Sequence, residues 1–297
     1  MNCLELITLF YFILFLISIL IVSIIPWWLL YRYSDLMAKL LHDVIKYRVK
    51  VTRSNLRLAF PEKEESELVA IEKKSYQNLA DISVEALKGF TMRNSIIRQR
   101  HRIVNPEILD HFYKNNQSLI GVTGHLFNWE WGALSAGIQL KHHPIAVYKP
   151  LSNKLIDWFI KWSRTIRGTE LVPMNQTFET FNKNAGKPCL YILVADQSPS
   201  KVAKAHWVNF FNQDTACIHG PEKYAKLYNY PLVYIDIKRE KRGFYHVELE
   251  VLCENPRELA EGEVTKIYMN RLEQSIRENP EGWLWTHRRW KRKRKPA

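Results

Sequence analysis

Polar positions almost vanish between residues 4 and 25, where only Glu5, Thr8, Ser18 and Ser23 interrupt an apolar run. As a helix rising 1.5 Å per residue, that run is roughly 33 Å long, enough for a hydrocarbon core of about 30 Å. Pro26, Trp27 and Trp28 follow at once, and Tyr31 and Tyr33 come soon after, in the manner of an interfacial aromatic belt. Residues 27–115 then read mainly as helix, for example over 36–51 and 64–87, with Pro61 and Glu62 as entry signals for the second. From Ser118 the texture changes, and short apolar runs alternate with helical stretches. Strands are predicted over 118–123, 145–148, 190–195, 232–237 and 245–251, and helices over 129–138, 155–166, 222–228 and 265–277. Strands alternating with helices predict an α/β fold with a mostly parallel central sheet flanked by helices. No repeat or Gly/Ser linker divides the chain, so the expected organisation is an anchor over 1–26 and one body over 27–297.

Charge gives the anchor an orientation. No Lys or Arg precedes the apolar run, whereas Arg32, Lys39, Lys46, Arg48, Lys50, Arg53 and Arg57 follow it, against Asp35 and Asp43. The positive-inside rule places the body in the cytoplasm, below a single-pass anchor. A cleaved signal peptide fits less well, because residues 1–5 carry no Lys or Arg and no small-residue cleavage site follows. The 297-residue chain has 43 Lys plus Arg against 30 Asp plus Glu, a net +13, and Arg288, Arg289 and Lys291 to Lys295 supply about half of it in a basic tail. Such a tail is either a solvated end or an attachment to anionic headgroups, at ~1 kcal/mol per basic residue near the surface. Nucleic acid is not expected, since no helix-turn-helix, RNP or zinc-finger pattern accompanies the charge. Cys3, Cys189, Cys217 and Cys253 form neither a C-x-x-C pair nor a zinc spacing, so they read as reduced thiols and no metal is expected.

The sharpest chemical signal is Gly124-His125-Leu126-Phe127-Asn128-Trp129-Glu130, directly after the predicted strand ending at Thr123. Strand ends of this kind are where α/β folds place sites. On one regular helix His125 and Glu130 would point about 140° apart. They meet if His125 sits on the turn and Glu130 in the first turns of the helix. A carboxylate beside an imidazole fixes its tautomer and makes it a general base for a hydroxyl. The spacing alone equally describes a helix-capping His and an exposed Glu. No zinc-binding H-E-x-x-H, phosphate-binding loop, nucleophile elbow or dinucleotide fingerprint is present, and no cofactor is expected.

With further blocks in order, the chain resembles the lysophospholipid acyltransferase superfamily, and within it the lipid A late acyltransferases, the lauroyl/myristoyl transferases of Gram-negative bacteria. His125-x4-Glu130 resembles the first motif, and the run from Arg53 to Glu62 is similar to the N-terminal signature. Tyr148-Lys149-Pro150, Asn153, Arg164 and Arg167-Gly168 resemble a second block, and Ala195-Asp196-Gln197-Ser198 a third. Trp207 to Phe211 with Thr215, and the run from Trp283 to Lys291, resemble the last two. Two positions depart from the pattern: Lys149 stands where Arg is usual, and Ser198 where a second acidic residue is common.

The resemblance implies a glycerolipid-acyltransferase-like fold and a membrane-bound enzyme of the inner membrane. Such an enzyme moves a fatty acyl chain from an acyl carrier protein or coenzyme A thioester to a hydroxyl of a lipid A precursor. His125, oriented by Glu130, is then the general base. Lys149, Arg164 and Arg167 are candidates for the oxyanion or for phosphate, and Asp196 and Gln197 for shaping the site or positioning the acceptor. Asp196 as a mere helix cap is the competing reading. The same chemistry on an aminolipid, glycolipid or lysophospholipid, and a catalytically silent binder of anionic lipid, are the alternatives. The net +13 suits an anionic membrane surface, an acidic carrier protein and a phosphorylated acceptor.

Overall fold

The computed structural model describes residues 3–294, so Lys295 of the basic tail lies outside the described residues. The chain runs α1 (Cys3–Ile24), α2 (Trp27–Lys39), α3 (Val49–Ala59), α4 (Glu65–Gly89), α5 (Asn94–Arg100), β1 (His101–Ile103), α6 (Asp110–Lys114) and β2 (Leu119–Thr123). It continues through α7 (Trp129–Gln139), β3 (His143–Tyr148), α8 (Lys154–Thr165), β4 (Glu170–Pro173), α9 (Thr177–Lys183) and β5 (Cys189–Val194). The remainder is β6 (His206–Phe210), β7 (Gln213–Cys217), α10 (Gly220–Tyr228), β8 (Leu232–Lys241), β9 (Phe244–Cys253) and α11 (Glu263–Glu278).

Seven strands form one sheet in the order β1-β9-β8-β2-β5-β3-β4. Every pairing in it is parallel except the β8–β9 hairpin. The period of two explains why these segments are strands. On β2, Ile120 and Val122 face one hydrophobic layer while Leu119 faces the other. On β8, Leu232 and Tyr234 join the first layer, and Val233, Ile235 and Ile237 the second. Strands apolar on both faces must be covered on both, which a mostly parallel sheet between helices provides. The fold is therefore the expected α/β architecture. Among the described residues, α1 is the one helix long and apolar enough to cross a membrane, over Leu4–Ile24.

One expectation changes. The helix predicted over 36–51 is broken. α2 ends at Lys39, a π-turn covers Leu40–Val44, and Lys46 and Arg48 adopt left-handed backbone at φ 54° before α3 begins. Non-glycine residues take that conformation only when surroundings hold them there. Here Tyr76 donates to the Tyr47 carbonyl, and Arg48 reaches the Thr286 carbonyl at 3.2 Å. Residues 206–217, for which no element was predicted, form an antiparallel hairpin, β6–β7, outside the main sheet. Cys189 and Cys217 are buried, Cys253 is half-buried, and all three are free thiols.

Candidate active site

Strand register builds the site. β2 and β5 are parallel neighbours with Thr123 opposite Val194. Two residues beyond each strand stand His125 and Asp196, so the chain delivers them side by side at the C-terminal edge of the sheet. The His125 Nδ1 lies 2.6 Å from Asp196 Oδ1, and the His125 backbone N–H donates to Asp196 Oδ2 at 2.8 Å. Gly124 makes this approach possible. A Cβ there would come within 2.7 Å of the Leu272 side chain and 3.4 Å of Asp196 Oδ2.

Asp196 is 2% exposed and His125 19%. Burial alone would drive the Asp196 pKa up, but His125 and the N–H donors around the carboxylate outweigh it and hold the group down at about 2. Burial likewise opposes the imidazolium of His125. The Asp196 charge and hydrogen bond outweigh it, with a smaller pull from Glu130, and the ring's pKa is raised above the usual histidine value. An ionised Asp196 accepts from Nδ1–H, which leaves the lone pair of the neutral ring on Nε2. Gln197 Nε2 sits 3.2 Å from that nitrogen.

The carboxylate predicted to orient His125 is elsewhere. Glu130 lies in the first turn of α7 and is 43% exposed, 3.6 Å from Arg164 Nη2, and it accepts from Trp129 Nε1 at 3.1 Å. A hydrogen bond between Glu130 and His125 is absent, and Glu130 acts on the ring only as a nearby negative charge. The reason is the turn. Leu126 bridges to Trp283, Phe127 takes left-handed backbone at φ 42°, and Asn128 caps α7 by accepting from the Trp131 N–H at 2.9 Å. Asn128 is itself fixed, because its Nδ2 donates to the buried Glu85 at 2.6 Å. Helix α7 thus starts past the sheet edge and carries Glu130 away from the imidazole.

The other predicted residues divide. Lys149 follows β3 at the same sheet edge, exposed and with no hydrogen bond or ion pair among the described residues. Arg164 is buried on α8, next to Glu130 and over the Phe90 ring at 5.0 Å, and burial pulls its pKa down to about 10. Arg167 is not free for substrate: its guanidinium donates to the carbonyls of Ser163 at 2.9 Å and of Phe90 and Met92 at 3.1 Å. Arg167 thus supplies donors to carbonyls at the C-terminal end of α4. Part of the basic tail is also committed, since Arg289 is buried on the Ala216 carbonyl and Arg294 pairs with Asp214. Trp283 and Trp285 belong to the core, whereas Trp28, Trp158 and Trp162 are exposed.

Residues outside the predicted set complete the site. The Trp283 indole donates to Asp196 Oδ2 at 2.8 Å, and the His287 Nε2 accepts from the Ser198 N–H at 3.1 Å. Burial pushes His287 down to about 4, so it remains a neutral acceptor near neutral pH. The Trp129 ring meets His125 edge-on at 5.1 Å between centroids. Trp283 is held through its neighbours. The Phe127 N–H donates to the Gly282 carbonyl at 2.8 Å, and a Cβ on Gly282 would collide with the Phe127 ring at 2.6 Å. Asn55 on α3 donates to the Trp285 carbonyl at 2.8 Å and the His287 carbonyl at 2.7 Å. The N-terminal signature and the run from Trp283 to Lys291 therefore meet directly behind the His125 turn.

Residues 4–292 match the bacterial lipid A biosynthesis acyltransferase family. A lipid A biosynthesis lauroyltransferase of Escherichia coli (strain K12) is 25% identical over 270 residues, spanning 90% of this chain and 87% of that protein. A lipid A biosynthesis palmitoleoyltransferase of the same organism is 21% identical over 248 residues, 83% of this chain and 80% of its own. A lipid A biosynthesis acyltransferase of Haemophilus influenzae is 30% identical over 112 residues, 37% of this chain and 34% of its own. The chain belongs to the bacterial lipid A biosynthesis acyltransferase family, and it is an acyltransferase of lipid A biosynthesis.

Proposed function

We propose that His125, held by Asp196, is the general base that transfers a fatty acyl group from an acyl carrier thioester to a hydroxyl of a lipid A precursor. The observation that carries this reading is the 2.6 Å contact between His125 Nδ1 and Asp196, which aims the basic nitrogen away from the carboxylate. His125 Nε2 takes the proton of the acceptor hydroxyl as its oxygen attacks the thioester carbonyl. The tetrahedral intermediate collapses by expelling the thiolate, and the imidazolium returns the proton to that sulfur. The products are an ester and a free thiol. The nearby negative charge of Asp196 stabilises the imidazolium between these steps.

Lys149 is the cation best placed for the oxyanion or for an acceptor phosphate, because it stands unpaired at the same sheet edge. Arg164 and Glu130 act as a pair behind the Trp129 ring and position that wall of the site. Gln197 occupies the His125 base nitrogen until the acceptor hydroxyl displaces it. The relatives named for lauroyl and palmitoleoyl transfer support a fatty acyl donor. Acyl carrier protein and coenzyme A thioesters both fit, and the net +13 suits an acidic carrier. Helix α1 and the basic residues after it support a chain anchored in the inner membrane with its catalytic body on the cytoplasmic side, against anionic lipid.

A second acceptor class is favoured by Lys149 itself. A point charge cannot make the planar bidentate contact of an Arg, so a different lipid hydroxyl remains the competing substrate. The deciding experiment is mass spectrometry of products from detergent-purified protein, acyl carrier protein thioesters and a panel of lipid acceptors. Transfer to the lipid A precursor that disappears in His125→Ala supports the reading. Undiminished transfer by His125→Ala removes the general base, and consumption of another acceptor alone changes the substrate.

A further inference from the structure

Helix α1 does not stand clear of the body. Thr8, Phe12, Phe15, Ile19 and Val22 recur at helical spacing and are sheltered, with Leu16, Ser18 and Ser23 beside them, while the rest of the described helix is exposed. That stripe packs along α8 and α4. The Phe159 ring on α8 touches Phe12 and Phe15 at centroid distances of 6.3 and 5.8 Å, and Asn153 donates to the Thr8 carbonyl at 2.9 Å. At the other end Lys88 on α4 caps the helix, donating to the carbonyls of Val22 at 2.8 Å and Ile25 at 2.6 Å. The first half of α8 therefore packs directly against α1.

That outer face has a matching composition. Leu155, Trp158, Trp162 and Ile166 are exposed and fall on one stripe, with Trp158 59% and Trp162 47% exposed. At about 100° per residue the stripe covers roughly 80° of the helix. Phe159, and with it α1, borders one side. Lys154 and Lys161, both exposed, border the other. The order round the helix is thus transmembrane-type surface, tryptophans, then lysines, which is the sequence of environments from hydrocarbon through interface to headgroup.

We propose that α8 is a second membrane element, lying in the lipid interface against α1 with the Leu155–Trp158–Trp162–Ile166 face in the lipid and its lysines at the headgroups. This rests on reading α1 as a membrane helix. It gives the site a supply route. α8 starts just after Lys149-Pro150 and carries Arg164, whose Nη2 is 3.6 Å from the Glu130 beside Trp129. A lipid acceptor reaches the His125 edge laterally along α8, without leaving the bilayer.

The test places a fluorescent label on Trp158→Cys, on Ile13→Cys in α1, and on Lys187→Cys at the opposite sheet edge, each in the full chain, with labelled wild type as background. The proteins are reconstituted in phosphatidylethanolamine–phosphatidylglycerol vesicles with or without acyl-chain nitroxide lipid, and acyl transfer is assayed to certify the fold. The expected result is nitroxide quenching at both 13 and 158, and iodide quenching from the aqueous side at 187 alone. Quenching at 13 with an iodide-accessible 158 overturns the proposal while leaving the anchor intact. Iodide access at both 13 and 158 overturns the membrane reading and the proposal together. As a second measurement, Trp158→Ser with Trp162→Ser raises KM several-fold for acceptor in vesicles and leaves transfer to detergent-dispersed acceptor unchanged. Equal KM in both settings counts against the proposal.

Discussion

Two carboxylates flank the same imidazole motif, and they live in opposite surroundings. Asp196 is 2% exposed and accepts from the His125 ring, the His125 backbone and the Trp283 indole. Glu130 is 43% exposed and makes a 3.6 Å ion pair with Arg164. An ionised carboxylate in a dry, fully hydrogen-bonded setting fixes a neighbour's proton position, whereas a half-solvated one is screened. The difference teaches that the nearest acidic residue in sequence is not the one that sets the tautomer. The parallel strands β2 and β5 bring the effective one across 71 positions of chain.

The largest effect is expected from His125→Ala, which should cost about 10²- to 10⁴-fold in kcat, the range of a lost general base. Steady-state acyl transfer on the purified protein checks it. Asp196→Asn should follow, at about 10²-fold or more, because an amide neither fixes the Nδ1–H tautomer nor stabilises the imidazolium. Glu130→Gln should cost less than Asp196→Asn at the same substrate concentrations. The reverse ranking would overturn the comparison.

The pH profile sharpens it further. His125 must be neutral to accept a proton, and its pKa is raised, so activity should fall as pH drops through a value above the usual 6.5. Removing the Asp196 charge leaves burial dominant, so Asp196→Asn should move this acid limb to lower pH, and Glu130→Gln should move it the same way by less. The stability contribution of Asp196 also falls toward acid, but at lower pH than the acid limb of activity. It is present above the ordinary carboxylate value and is lost as pH falls toward about 2.

Trp283→Phe removes one donor to a buried carboxylate and should cost about 1.5–3 kcal/mol of stability. Denaturant unfolding measures this, with Trp28→Phe on the exposed face as a near-neutral control. The smallest shift is expected from Gln197→Ala. Losing an amide that donates to neutral Nε2 should raise the acid limb slightly, since that contact favours the unprotonated ring.

Much of the sheet was legible because strands buried on both faces leave short continuous apolar runs, as over 118–123 and 190–195. The His125 position was equally legible as a strand end followed by glycine. Its partner was not, because spacing describes one helix and cannot report register between strands. A signal did exist: Thr123 and Val194 each precede, by two positions, a polar residue at a strand end. The break between α2 and α3 was hidden for another reason. No Gly or Pro marks it, and the left-handed Lys46 and Arg48 are held by contacts from Tyr76 and to Thr286. Arg167 misled because a cation bound to carbonyls looks the same in sequence as one free for phosphate.

The meeting of Asn55 with the Trp285 and His287 carbonyls, and of Trp283 with Asp196, also orders events during synthesis. Chains emerge N-terminus first. Helix α1 leaves the ribosome long before residues 279–290 exist. The Asp196 carboxylate has its full set of donors only once that segment folds back onto α3 and the His125 turn. A ribosome-bound chain therefore presents α1 while the Asp196 carboxylate still lacks its Trp283 donor, so the apolar helix can meet its surroundings before the His125–Asp196 pair is fully assembled.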